Sequence, residues 1–306
     1  MPHFAAIIPT PQGTIEVKEI DTPQPGPYEL LIKNEIIALQ PIDAKIAKLS
    51  FFPVEYPAVL GSSFAGTVEK IGAEVTGFSV GDKVVAAKAL RTPGNSYSAF
   101  QQYALAIRLI GNLTTVVALF NVALKLAKPD LASPLPAQDK RILAGYDVVT
   151  TSSSRNKVFA TQLGATKIIS HSQPSELATI ELISAGPYDI VFDAILLPET
   201  IKVAASVLEA QGGGEINGLL PASDPETLPT GVTHKYQPWS LLLEEERNVG
   251  LLDWSFHHYL PQALAQDSLL PVPERKISGG LSRIDDAFDL LMTGVSNEKV
   301  VLDPWE

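Results

Sequence analysis

Two rhythms of apolar and polar positions divide the chain. Up to about residue 104 the apolar residues recur in short runs, Thr14-Ile15-Glu16-Val17-Lys18 and Glu29-Leu30-Leu31-Ile32-Lys33 among them, with Pro- and Gly-rich breaks at 23–27 and 53–57. Such runs between such breaks are strands. Residues 66–72 and 77–85 read as a hairpin in which Gly and Asp turn the chain between β-branched positions. A barrel-like β domain is predicted for this region.

From Tyr146 onward, strand and helix patterns alternate. Residues 147–150, 167–170 and 188–193 have the pattern of strands. Helices are predicted from Ser154, as a cap, to a stop at Gly164, then over 176–183 and 199–209, the last leading into Gly212-Gly213-Gly214-Glu215-Ile216-Asn217. Repeated βαβ units imply a parallel sheet wrapped by helices. Near the end, Ile284, Ala287, Phe288, Leu291 and Met292 share one helical face, Ser282 and Asp285 stand at capping-box spacing, and Gly294 is placed to stop the helix. A strand over 299–302 follows.

Composition narrows the chemistry. The 306 residues are 45% hydrophobic and 19% charged, enough to bury a sizeable core. There is no Cys, which removes disulfides, thiolate nucleophiles and every Cys-containing metal site. A net charge of −11 repels polyanions, so nucleic acid is not an expected partner. The opening Met1-Pro2-His3-Phe4 lacks the basic and apolar pattern of a leader, and the apolar stretch 113–127 is broken by Asn121 and Lys125. It falls short of the roughly 18 residues a bilayer span needs. The expectation is a cytoplasmic protein with no membrane contact.

The run Pro57-Ala58-Val59-Leu60-Gly61-Ser62-Ser63-Phe64-Ala65-Gly66-Thr67-Val68, with Gly81-Asp82-Lys83-Val84 after it, resembles the catalytic domain of medium-chain dehydrogenase/reductases. Five further segments are similar to the trans-acting enoyl reductases that serve fungal polyketide synthases. They are 38–45, 151–156, 163–165, 188–194 and Gly279-Gly280-Leu281. The resemblance implies an α/β chain with a GroES-like β-barrel domain at 1–110 and 265–306 and a truncated, doubly wound Rossmann-type domain at 111–264. It also implies NADPH chemistry on an α,β-double bond of a carrier-bound acyl chain.

Three departures qualify that implication. Zinc-dependent relatives use a Cys and a Gly-His-Glu motif, whereas Gly61 is followed here by Ser62 and Ser63, so no metal is expected. His257 and His258 are adjacent and lack the spacing of a helical zinc site. There is also no Gly-x-Gly-x-x-Gly anywhere, and Asp139-Lys140-Arg141-Ile142-Leu143 runs almost directly into Ala144-Gly145-Tyr146 where a strand, a Gly-rich turn and a helix belong. Losing two or three amide contacts to a diphosphate, with the helix dipole, costs about 4–8 kcal/mol. The expectation is therefore no cofactor, with NADPH as the alternative.

Ser153, Arg155 and Lys157 match the region where the family holds the adenosine 2'-phosphate; otherwise they are inherited sequence, with Ser154 as a helix cap and two solvated cations. Lys45, in Pro41-Ile42-Asp43-Ala44-Lys45, matches a substrate-facing lysine or is a surface ammonium, and Asp43 would share its face on a strand. His234 is a candidate proton shuttle and Tyr97 a candidate hydroxyl donor, each with an ordinary packing explanation beside it. The leading expectation is an isomerase or cyclase working by positioning and proton transfer on a hydrophobic, polyketide-derived substrate in an interdomain cleft. An NADPH-dependent enoyl reductase is the first alternative. A non-catalytic partner of a polyketide synthase is the second.

Overall fold

The computed structural model describes residues 2–88, 92–106, 116–126, 128, 147–219, 221, 228–266, 269 and 272–306. In chain order the strands are β1 Pro2–Ile8, β2 Glu16–Asp21, β3 Leu30–Ala38, β4 Ala58–Val59, β5 Ser63–Ile71, β6 Lys83–Ala87, β7 Tyr103–Ala106, β8 Val149–Ser152, β9 Lys167–Ser170, β10 Val191–Asp193, β11 Gly214–Gly218, β12 Val232–Tyr236, β13 Glu274–Lys276 and β14 Lys299–Leu302. The α-helices are α1 Pro41–Leu49, α2 Lys157–Gln162, α3 Ser175–Ala185, α4 Pro198–Ala210, α5 Val249–Asp253, α6 Leu260–Ala265 and α7 Ile284–Thr293. They fall into two compact units, one of Met1–Asn112 with Pro271–Glu306 and one of Leu113–Leu270.

The first unit is built on a sheet ordered β13-β14-β3-β5-β6, with β7 on β3, and a smaller one ordered β2-β1-β4. The hairpin expected around Gly72 and Gly77 is the antiparallel pair β5–β6. No closed barrel forms among the described residues. Between β1 and the segment before β7 the ladder shrinks to one bridge, Ala5↔Gln101, where Gln101 turns its amide inward to donate to the Asn95 and Ser98 carbonyls. The core runs continuously from Ala5 through Ile32, Ile37 and Phe64 to Phe288 and Leu302.

Residues 41–49 are helix rather than strand. Pro41 at the first helical position pre-sets φ, and the Asp43 carboxylate accepts the Gln40 N–H at 2.8 Å, which fixes the helix start. Asp43 is thereby buried while Lys45 is half-exposed, so the two do not share a face. Helix α1 packs on α7, where Lys48 bridges Asp285 at 2.8 Å and Asp289 at 2.9 Å. The capping box at Ser282 does not form either: the Ser282 hydroxyl donates to the Gly279 carbonyl inside a 3-10 turn, which moves the α7 N-cap to Arg283. Gly294 does end α7, with φ +97°.

The second unit contains two parallel sheets, β8-β9 and β10-β11-β12. Helix α4 covers the latter, with Ile201, Ala205 and Leu208 against Ile216 and Val232. Helix α3 packs on both α4 and β9. Gly213, at φ +122°, lies so near Gly231 that an added Cβ would stand 2.6 Å from the Gly231 carbonyl oxygen, so this glycine run is a close-packed turn. Among the described residues β8 pairs only with β9 and β10 only with β11. The segment 139–146, where the Gly-rich element is missing from the sequence, lies outside the described residues. No helix among the described residues is long and apolar enough to cross a membrane.

Candidate functional site

Ligands of open parallel sheets bind outside the carboxyl ends of the strands. Four features gather there in the second unit. Asp193 closes β10, and its Oδ1 accepts the N–H groups of Ile195 at 2.8 Å and Leu196 at 3.0 Å while Oδ2 accepts the Thr200 hydroxyl at 2.6 Å. Gly218 closes β11 as the ladder partner of Asp193, and its carbonyl accepts the buried Trp239 indole N–H at 2.7 Å. His234 on β12 pairs in register with Ile216, but its ring leans along the strand to Gly218, where an added Cβ would lie 2.5 Å from Nε2. Asn217, 3% exposed, donates from Nδ2 to the Val191 carbonyl and leaves Oδ1 without a partner.

Nε2 of His234 is likewise buried and unpartnered. Burial holds this imidazole below its ordinary titration range, against the opposing pull of the Asp193 carboxylate. At neutral pH the ring is therefore the free base, the form that accepts a proton.

A third orphan is Ser153 Oγ, buried without a partner just past the carboxyl end of β8. The helix after it starts as a 3-10 turn, Ser154–Asn156, which places the N-cap at Ser153 and leaves Ser154 exposed. Neither Ser153 nor Asn156 makes a side-chain cap bond, so capping does not account for the serines. Arg155 and Lys157 are exposed and form no ion pair among the described residues. A hydroxyl, a guanidinium and an ammonium within five residues of sequence suit a phosphate monoester.

In the first unit the candidates have partners of their own. Tyr97 donates its hydroxyl to Glu29 at 2.5 Å, and that bond, with burial, pushes its pKa up to about 12. The Lys45 ammonium stands 5.8 Å from the Phe51 ring centroid. The structure thus gives Lys45 and Tyr97 different partners, whereas His234 shares its surroundings with Gly218, Leu196 and Asp193. The roles of Asp193, Gly218 and Asn217 were not read from the sequence. The strand end at 188–193 and the glycine run before 217 were visible, but strand order was needed to make them neighbours. Among the described residues no three His, Asp or Glu gather as a metal site, and His257 bonds Asp253 at 2.8 Å on an exposed helical turn.

Residues 26–124 match the alcohol dehydrogenase GroES-like domain family. Over 99% of this chain and 100% of the other, the structure superposes on the quinone oxidoreductase of Pseudomonas syringae pv. Tomato DC3000, with a TM-score of 0.72 at 19% identity. The match over 26–124 marks that domain, and the fold of the chain is shared with this oxidoreductase. Similar sequences include the zinc-binding alcohol dehydrogenase domain-containing protein cipB of Emericella nidulans, 29% identical over 94% of this chain and 93% of that one. The trans-enoyl reductase himH of Aspergillus japonicus is 28% identical over 90% of this chain and 89% of its own.

Proposed function

We propose that the protein is an enzyme of fungal polyketide metabolism that isomerises or cyclises an apolar, unsaturated substrate by proton transfer, with His234 carrying the proton. One observation bears the reading: a free-base imidazole stands beside Asp193 and Gly218 among the carboxyl ends of parallel strands, where this fold class receives its ligands. Removing a proton from one end of a conjugated system and returning it at the other leaves the molecular formula unchanged and consumes no reductant. Missing from the sequence is the Gly-rich fingerprint that would hold a diphosphate.

The test is incubation of the purified protein with an unsaturated thioester or polyene and no nicotinamide, read by mass spectrometry and NMR. A product of unchanged mass with a moved double bond or a new ring supports the reading. A product gaining two hydrogens, formed only when NADPH is added, overturns it.

The second reading is an NADPH-dependent enoyl reductase, favoured by the orphaned Ser153 hydroxyl and by two exposed cations, Arg155 and Lys157, that form no ion pair among the described residues. Ser153, Arg155 and Lys157 would hold the 2'-phosphate, and the nicotinamide would supply a hydride. Incorporation of deuterium from labelled NADPH into product tests it.

A further inference from the structure

The loop that follows β10 contains a strained residue next to the proposed proton carrier. Leu196 has φ +57°, a left-handed conformation that is strained for a branched side chain and calls for something to hold it. The holder is Asp193, whose Oδ1 accepts the Leu196 N–H at 3.0 Å and the Ile195 N–H at 2.8 Å. Thr200 fixes the other carboxylate oxygen from the first turn of α4. This turn aims Leu196 at Gly218: an added Cβ there would meet Leu196 Cδ2 at 2.8 Å and His234 Nε2 at 2.5 Å. The leucine methyl and the imidazole therefore meet over the same bare Cα, and Nε2 lies out of contact with water.

We propose that Leu196 is a positioning residue for His234: held left-handed by Asp193, it closes with Gly218 over Nε2 and leaves Nδ1 as the nitrogen through which the ring exchanges its proton. This rests on the reading of His234 as the proton carrier and adds which edge of the ring works and what enforces it. With its one N–H on the sealed Nε2, the ring accepts a proton at Nδ1, and the buried Nε2 edge keeps it neutral at rest by leaving the imidazolium poorly solvated. Asp193 is the one charge acting on the ring among the described residues; Glu215 and Lys235 of the neighbouring strands pair with each other at 3.7 Å.

The experiment is NMR titration of His234 in the full-length protein, with the ring 15N shifts reporting tautomer and protonation, so that no turnover is needed. Leu196→Gly keeps the left-handed backbone without strain and opens the seal. His234 should then titrate about half a unit or more higher, and its Nε2 shift should respond to solvent. Asp193→Asn keeps an oxygen for the two backbone N–H groups but removes the charge, so His234 should titrate lower than in the wild type. An unchanged titration in Leu196→Gly, or an Nε2 that already exchanges with water in the wild type, overturns the proposal. If His234→Asn abolishes turnover while Leu196→Gly leaves the titration unmoved, the seal fails and the function survives. If the titrations behave as expected while His234→Asn retains full turnover, the function fails instead.

Discussion

In the GroES-like unit the buried groups are largely spoken for: Asp43 accepts the Gln40 N–H, Gln101 bonds three groups, and Asn34 donates to the carbonyls of Ala99 and Gln101. In the Rossmann-like unit Ser153, Asn217 and His234 each leave a buried atom without a partner, three of the four such atoms found among the described residues. An unsatisfied buried polar atom costs about 1–3 kcal/mol. The difference teaches that the β-rich unit pairs most of its buried polar groups within the fold, while the parallel unit, which holds the proposed proton carrier, does so less completely.

The largest effect that tests this contrast is on stability. Phe288 is fully buried in the continuous core, and Phe288→Ala should cost about 3–5 kcal/mol, seen as an early thermal transition. A loss under 1 kcal/mol would mean that the first unit is not the rigid half. Next comes activity: His234→Asn should lower turnover about 10²–10⁴-fold with little change in melting temperature. A matching loss of stability would make His234 one more structural residue and erase the contrast.

Arg155→Ala and Lys157→Ala sharpen the comparison from the side of the second reading. Each should weaken NADPH about tenfold or more in a fluorescence titration and leave NADH unaffected. Equal losses for both nucleotides would remove the phosphate role. The smallest effect tests whether Asp43 is purely structural. Burial pushes its pKa to about 7, while an unfolded aspartate titrates near 3.8, so the folded chain binds this proton more tightly. Its contribution to stability is complete below the unfolded value and is lost as pH rises through about 7. Asp43→Asn should flatten that decline by a few degrees of melting temperature between about pH 4 and 7. An identical slope in the variant would show that Asp43 does not titrate there.

Local pattern made most elements readable. β9 and β14 fall on 167–170 and 299–302 as expected, and α3 and α4 differ from 176–183 and 199–209 by one or two residues at each end. Alternation and helical periodicity are properties of neighbouring residues. The errors came where a neighbour's hydrogen bond decided the outcome: Asp43 and Pro41 made helix of a segment that looks extended, and 3-10 turns displaced the caps expected at Ser154 and Ser282. The barrel expected of this region did not close among the described residues, where one bridge, Ala5↔Gln101, is all that pairs β1 with the segment before β7, and no local rule foresees that.

For function the division is similar. His234 could be nominated from residue type alone, and the missing Gly-rich fingerprint is a fact of the sequence. Which atoms of that histidine are sealed, and by whom, depended on parallel register bringing Gly218 between Asp193 and β12 and on Leu196 folding back to the same point. Sequence determined which side chains exist and which segments bend or extend, because those follow from steric rules a few residues long. Only the tertiary structure decided which buried atoms go unpartnered, because that depends on groups brought together from distant parts of the chain.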